Sequence, residues 1–243
     1  MSAAADNKKR VHEALVALER RGSKRVRDEM GPRYGIFDDT AFGVPMRDIQ
    51  ALAKQLGRDH DLAEGLWNTG VYEARLLTAY VDDPAAVTAA QMDRWTKDFD
   101  NWGVVDTVCF SLFDRSPYAW RKVAPWCKRR EEFVRRAGFV LLACLALHDK
   151  TASDAAFMKM LPLLERGATD DRHLVSKAVS WAIRGIGGRS TALNAALIGM
   201  SQRLAAADGP ARTVGKLALK DLRAPALQKR LGARRSATKA KRR

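Results

Sequence analysis

Apolar residues recur at helical spacing along almost the whole chain. Val11, Leu15 and Leu18 mark one face of an opening amphipathic helix that stops at Gly22. The stretch from Met30 to Pro45, MGPRYGIFDDTAFGVP, is rich in Gly, Pro and Asp and reads as a loop. Val44-Pro45 opens a helix through Ile49, Leu52, Ala53 and Leu56, ended by Gly57. A short helix capped by Asp59 or Asp61 runs through Trp67 and breaks at Gly70. Val71 to Val81 follows, ended by Asp82-Asp83-Pro84. Further helices read as Thr88 to Phe99, Asn101 to Phe113, Ser116 to Cys127 and Glu131 to Leu147. Asp154 to Glu165, Asp170 to Ile186, Thr191 to Ala206 and Pro210 to Leu222 complete the set. No alternating β-branched run suggests a sheet. The fold class is therefore all-α. Short turns favour stacked antiparallel pairs, at roughly 40 to 47 residues per two-helix unit and about five units. Such an array forms a curved α-solenoid; a helical bundle is the alternative.

From Lys229 onward the pattern changes. KRLGARRSATKAKRR holds eight basic residues, no acidic ones and no apolar periodicity. It is expected to be a basic disordered tail, 229–243, behind a domain spanning 1–228. The net charge is +15 and the pI about 10.1. A merely soluble basic protein is one reading, but self-repulsion on this scale favours a polyanionic partner, most simply nucleic acid. Cys109, Cys127 and Cys144 form neither a CxxC nor an even set, so no disulfide framework or zinc knuckle is suggested. Cys109 and Cys144 read as small core residues, in keeping with a reducing compartment. The N-terminal stretch lacks an apolar signal region. The longest apolar run, Ala137 to Leu147, is too short to cross a bilayer, so no membrane is expected.

The candidate chemistry is sparse. His12, His60, His148 and His173 are scattered, without ligand spacing, and read as surface or helix-end residues. Neither a metal nor a cofactor is expected. Arg184-Gly-Ile-Gly-Gly-Arg-Ser190 follows a helix rather than a strand. It reads as a helix end and turn, with the alternative that its amides approach a phosphate. Asp100-Asn-Trp-Gly-Val-Val-Asp106 is more informative. Trp102 and Asp106 are four apart and share a helix face, with Asp100 or Asn101 as cap. Arg135 and Arg136 precede a long apolar run, where they either line a groove or pair with Glu131 and Glu132. Lys177, Trp181 and Arg184 fall on one face, a combination suited to stacking and phosphate contact. Each tryptophan alone is compatible with a core role.

Together these elements resemble the DNA alkylation repair glycosylase family, the AlkD-type enzymes built of HEAT-like repeats. Trp102 and Asp106 match the family's Trp-x-x-x-Asp element, Arg136 its active-site arginine, and Lys177 to Arg184 the later helix that supplies a second tryptophan. The Tyr34 to Pro45 loop, and Leu66-Trp67 followed by Glu73-Ala-Arg75, are similar too. Coverage runs from about Tyr34 to Leu222. The chain departs at Gly103, where many members carry an acidic residue; a loosened first turn of that helix is expected.

The resemblance implies excision of N3- or N7-alkylated purines from duplex DNA, without base flipping. Such a base is already cationic and leaves without a general acid. One carboxylate, Asp106, would stabilise the positive sugar and position the water. Trp102 and Trp181 would pack on the lesion nucleotide, Arg136 would hold a phosphate, and Arg135, Lys177 and Arg184 would add DNA contacts. A monomer in the bacterial cytoplasm, nucleoid-associated through DNA, is expected. Two alternatives remain: a noncatalytic HEAT-repeat protein that binds damaged or distorted DNA, and a protein-interaction scaffold.

Overall fold

The computed structural model describes the backbone of residues 3–240 and the side chains of residues 4–233. Among the described residues there are fifteen α-helices, one short 3-10 turn and no strand. The chain divides into two compact units, 1–118 and 119–243.

The first unit holds α1 (Ala3–Glu19), α2 (Lys24–Tyr34), α3 (Met46–Leu56), α4 (His60–Trp67), α5 (Tyr72–Val81), α6 (Ala89–Lys97) and α7 (Trp102–Ser111). α5 is its hub and packs against α3, α4 and α7. The indoles of Trp67 and Trp95 stack with centroids 4.2 Å apart and planes 2° apart. Phe99 and Phe113 close around that pair. Local signals set the boundaries. Asp59 caps α4 by accepting from the Leu62 amide at 2.8 Å, and Thr88 with Gln91 forms a capping box at α6.

The second unit holds α8 (Ala119–Cys127), α9 (Glu132–His148), α10 (Asp154–Met158), α11 (Leu161–Gly167), α12 (His173–Gly187), α13 (Thr191–Ala206), α14 (Pro210–Leu222) and α15 (Pro225–Ala240). α9 lies against α8 and α12, and α13 against α14. α9 is apolar nearly all round and is buried from Ala137 to Ala146. Cys109 in the first unit and Cys127 and Cys144 in this one are buried thiols. No helix is long and apolar enough to cross a membrane among the described residues.

Four expectations change. The Met30–Pro45 loop is shorter, because α2 continues through Tyr34. That helix shows little apolar periodicity and buries only Met30; its ends are fixed instead by Ser23, which accepts from Val26, and by Gly35 at φ 65°. The segment 154–165 is two helices, not one. Pro162 has no N–H to give to the Met158 carbonyl and stands in the first turn of α11, the position in a helix that proline favours. α12 begins at His173 rather than Asp170, because the Asp170 carboxylate is taken by the Arg172 guanidinium at 2.7 and 2.8 Å. The expected structureless tail from Lys229 is helical through Ala240, and its remainder lies outside the described residues. Leu231 is only 2% exposed, and Gln228 donates to Asn194 at 3.1 Å, so α15 docks on the ends of α12 to α14 through contacts that periodicity does not reveal.

Charge separates the units sharply. Residues 1–118 carry 16 Lys and Arg against 19 Asp and Glu, whereas residues 119–243 carry 27 against 9. The excess of the whole chain thus resides in the second unit.

Candidate nucleic-acid interface

In the first unit the sequence builds a rigid seat for the start of α7. Asn101, not Asp100, is the cap: its Oδ1 accepts from the Val104 amide at 3.0 Å. Trp102 packs on the Met30, Ile36 and Ala41 cluster beside Tyr72, and its indole N–H donates to the Tyr34 carbonyl at 2.9 Å. Asp106 stands one turn further along the same face, half-buried. Gly103 does not loosen the turn. A Cβ there would meet the Tyr72 hydroxyl at 2.8 Å and Ile36 at 3.1 Å, so the missing side chain lets the loop seat closely. Burial, with Glu73, Asp38 and Asp100 nearby, pushes the Tyr72 phenol well above its ordinary value, so it stays a neutral hydroxyl.

Residues outside the motif do the positioning. Glu73, fully buried, accepts from the amides of Phe42, Gly43 and Val44 at 2.7 to 3.1 Å and so anchors the loop before α3. Arg75 lies over the Trp67 ring at 5.2 Å and donates to the Asp98 carbonyl at 3.2 Å. It also reaches the Asp100 carboxylate at 3.4 Å. The Trp67 indole donates to Asp98 at 2.8 Å. The α6–α7 turn is therefore held from both sides. Sequence similarity picks out Glu73, Arg75 and Trp67 but assigns them no task; an acidic residue inside an apolar helix was the available signal.

In the second unit the exposed face of α12 forms one wall of a groove of about 710 Å³ and α14 the other. Lys177, Trp181 and Arg184 line it together, as their spacing requires. α14 contributes Pro210, Val214 and Leu217, the last 51% exposed. In the sequence Leu217 stands between Lys216 and Lys220, a setting that does not mark it as a groove residue. Arg184 keeps a loose pair with Asp221 at 3.6 Å, and Asp171 adds a second acid to the rim.

The two arginines of α9 differ. Arg136 is 5% exposed, donates to the Leu174 carbonyl and forms part of the groove wall. Arg135 pairs with Asp170 at 3.0 Å and does not line the groove. Neither takes Glu131, which is paired with Arg129. Hydrogen bonds from Arg172, with further help from Arg135, hold the Asp170 carboxyl below the usual range, so the foot of α9 is tied to the start of α12. Trp102 and Asp106 belong to the first unit and the groove to the second. No cluster of His, Cys, Asp or Glu able to hold a metal occurs among the described residues.

The stacked helix pairs define an all-α helical-repeat protein, whose α12–α14 groove presents Lys177, Trp181 and Arg184. The profile of the DNA alkylation repair enzyme family matches residues 14–222, and the chain belongs to that family. One solved chain comes from a family described as related to the HEAT-like repeat DNA glycosylases, with affinity for branched DNA structures. It superposes with a TM-score of 0.70 at 20% identity, over 79% of this chain and 81% of that one. The fold is thus of the HEAT-like repeat class. No curated protein matches the sequence.

Proposed function

We propose that this protein is a DNA glycosylase that releases cationic N3- and N7-alkylated purines from duplex DNA without flipping them. The observation that carries the reading is the half-buried carboxylate of Asp106 beside Trp102, on a ten-residue helix whose first turn is fixed by Asn101, Tyr34 and Arg75. The helix that carries Asp106 is anchored at its start, and a carboxylate presented from it is the one group this reaction needs. The alkylated base already carries a positive charge. As the C1′–N bond breaks, its electron pair goes to the base, which departs neutral. The charge passes to the deoxyribose, and Asp106 stabilises it. Water then bonds to C1′, with Asp106 positioned to accept its proton. Within the second unit, Trp181 stacks on DNA, Lys177 and Arg184 hold phosphates, and Arg136 stiffens the groove wall.

A second reading has its own support. The similar solved chain belongs to a family described by its affinity for branched DNA, which favours a noncatalytic binder of distorted DNA. Single-turnover release of N7-methylguanine from a duplex, with a branched DNA of equal length as binding competitor, separates the two. Base release by the wild type that Asp106→Asn abolishes supports the glycosylase. No release, with tight preference for the branched DNA, supports the binder.

A further inference from the structure

The C-terminal end of α12 opens a second cavity, of about 450 Å³, within the same unit. Lys150, Arg184, Arg189 and Arg230 line it against a single carboxylate, Asp154. That carboxylate accepts from the Ser190 hydroxyl at 2.5 Å. Among the described residues four cations face one acid in this concavity; Arg184 keeps its loose pair with Asp221 and Lys150 donates to the Leu147 carbonyl, yet the excess of positive charge favours an anion.

The cations divide by task. Arg189 donates to the carbonyls of Ala146, Asp149 and Ala152 at 2.8 to 2.9 Å and lies over Phe157 at 4.3 Å. It fixes the turn that presents Lys150. Lys150, Arg184 and Arg230 are exposed. The glycines explain the access. A Cβ at position 188 would sit 3.1 Å from Arg230 Nη2, so the glycine lets that guanidinium lie close over the helix end without a small shift. The backbone amides are not the ligands: Gly188 N–H donates to Arg184 O and Arg189 N–H to Ile186 O, both at 3.0 Å. Recognition there belongs to side chains.

We infer that this cradle binds a phosphodiester of the same DNA that occupies the α12–α14 groove. Arg184, which lines both cavities, bridges the two contacts. The inference rests on the nucleic-acid reading of the groove but does not require catalysis. The competing role for these cations is to offset the carbonyl ends of α9 and α12.

The test is fluorescence-anisotropy binding of a labelled duplex over a range of NaCl concentrations. It compares the wild type, Lys150→Ala/Arg230→Ala and Trp181→Ala, with melting temperatures on the same preparations. The double variant should bind about tenfold more weakly, and its slope of log K against log salt should flatten by about 0.9, one phosphate contact. Arg230→Lys should recover most of the loss. An unchanged slope overturns the inference, whether or not the double variant melts lower; a lower melting temperature then assigns the cations to helix ends. Inorganic phosphate that stabilises the wild type but not the double variant, with no change in the DNA slope, also overturns it in favour of a free anion. If Trp181→Ala binds normally while the double variant fails, the cradle contacts DNA but the groove does not, so the groove reading falls and the bridging role of Arg184 falls with it. Wild type that binds no DNA sinks both.

Discussion

The two units solve different problems with the same kind of helix pair. The first is slightly acidic and spends its polar groups on immobility. Glu73 is buried against three amides, Arg75 and Trp67 grip the α6–α7 turn, and Trp102 is tied to Tyr34. The second holds three times as many basic as acidic residues and leaves several at its surface. Lys177 and Arg184 are exposed in the groove, and Lys150 and Arg230 are exposed in the cradle. A carboxylate can stabilise a developing cation only if it cannot swing away, so its surroundings must be rigid and need not be basic. Phosphate capture tolerates mobile, solvated cations, because the attraction is long-ranged and sequence-independent. Under the proposed function the division is between a placing half and a holding half.

The comparison breaks first at Glu73. Removing a buried carboxylate that satisfies three amides leaves those donors unpaired, so Glu73→Ala should lose roughly 3 kcal/mol or more of stability. Urea denaturation of the full chain measures it; a loss below about 1 kcal/mol would mean the loop is not held there. Next, Asp106→Asn should slow base release at least about a hundredfold while melting normally and binding alkylated duplex as well as wild type. A folded variant with an undiminished rate would remove chemistry from the first unit. Trp181→Ala should reverse that balance, weakening DNA binding about tenfold with little change in melting temperature, since the indole is half-exposed. Normal binding by this variant would take the α12–α14 groove out of the holding surface.

The smallest expected effect concerns acid stability. A hydrogen bond from the Trp120 indole at 2.8 Å, with others from Thr151 and Ala152, holds Asp149 at about 2 against an ordinary 3.8. A carboxylate depressed on folding contributes fully above its unfolded value. Its contribution is lost as pH falls from near 4 through about 2. Trp120→Phe should therefore cost about 1 kcal/mol at neutral pH and make the stability profile between those values shallower. A profile parallel to wild type would show that the indole bond does not set the titration of Asp149.

Much of the architecture was readable without coordinates. α13 and α14 occupy the residues their apolar spacing and caps indicate, and Lys177, Trp181 and Arg184 line one groove because three- and four-residue steps leave no other geometry. These are short-range properties, fixed within one or two turns by backbone sterics and hydrogen bonding. The misses share the opposite cause. α2 has almost no apolar face, α15 docks through Leu231 and Gln228, and Gly103 is matched to Tyr72 and Ile36, which lie far from it in the chain. Arg135 and Arg136 are adjacent and alike in type, yet one is consumed by Asp170 and the other walls the groove. The sequence by itself determined helix content, most boundaries, the charge and the candidate residues, because periodicity and composition are local. Tertiary structure alone decided which charges are spent internally and which remain for a ligand. A guanidinium's partner is chosen by whatever the fold brings within hydrogen-bond reach, across tens of residues of chain, and no spacing rule encodes that distance.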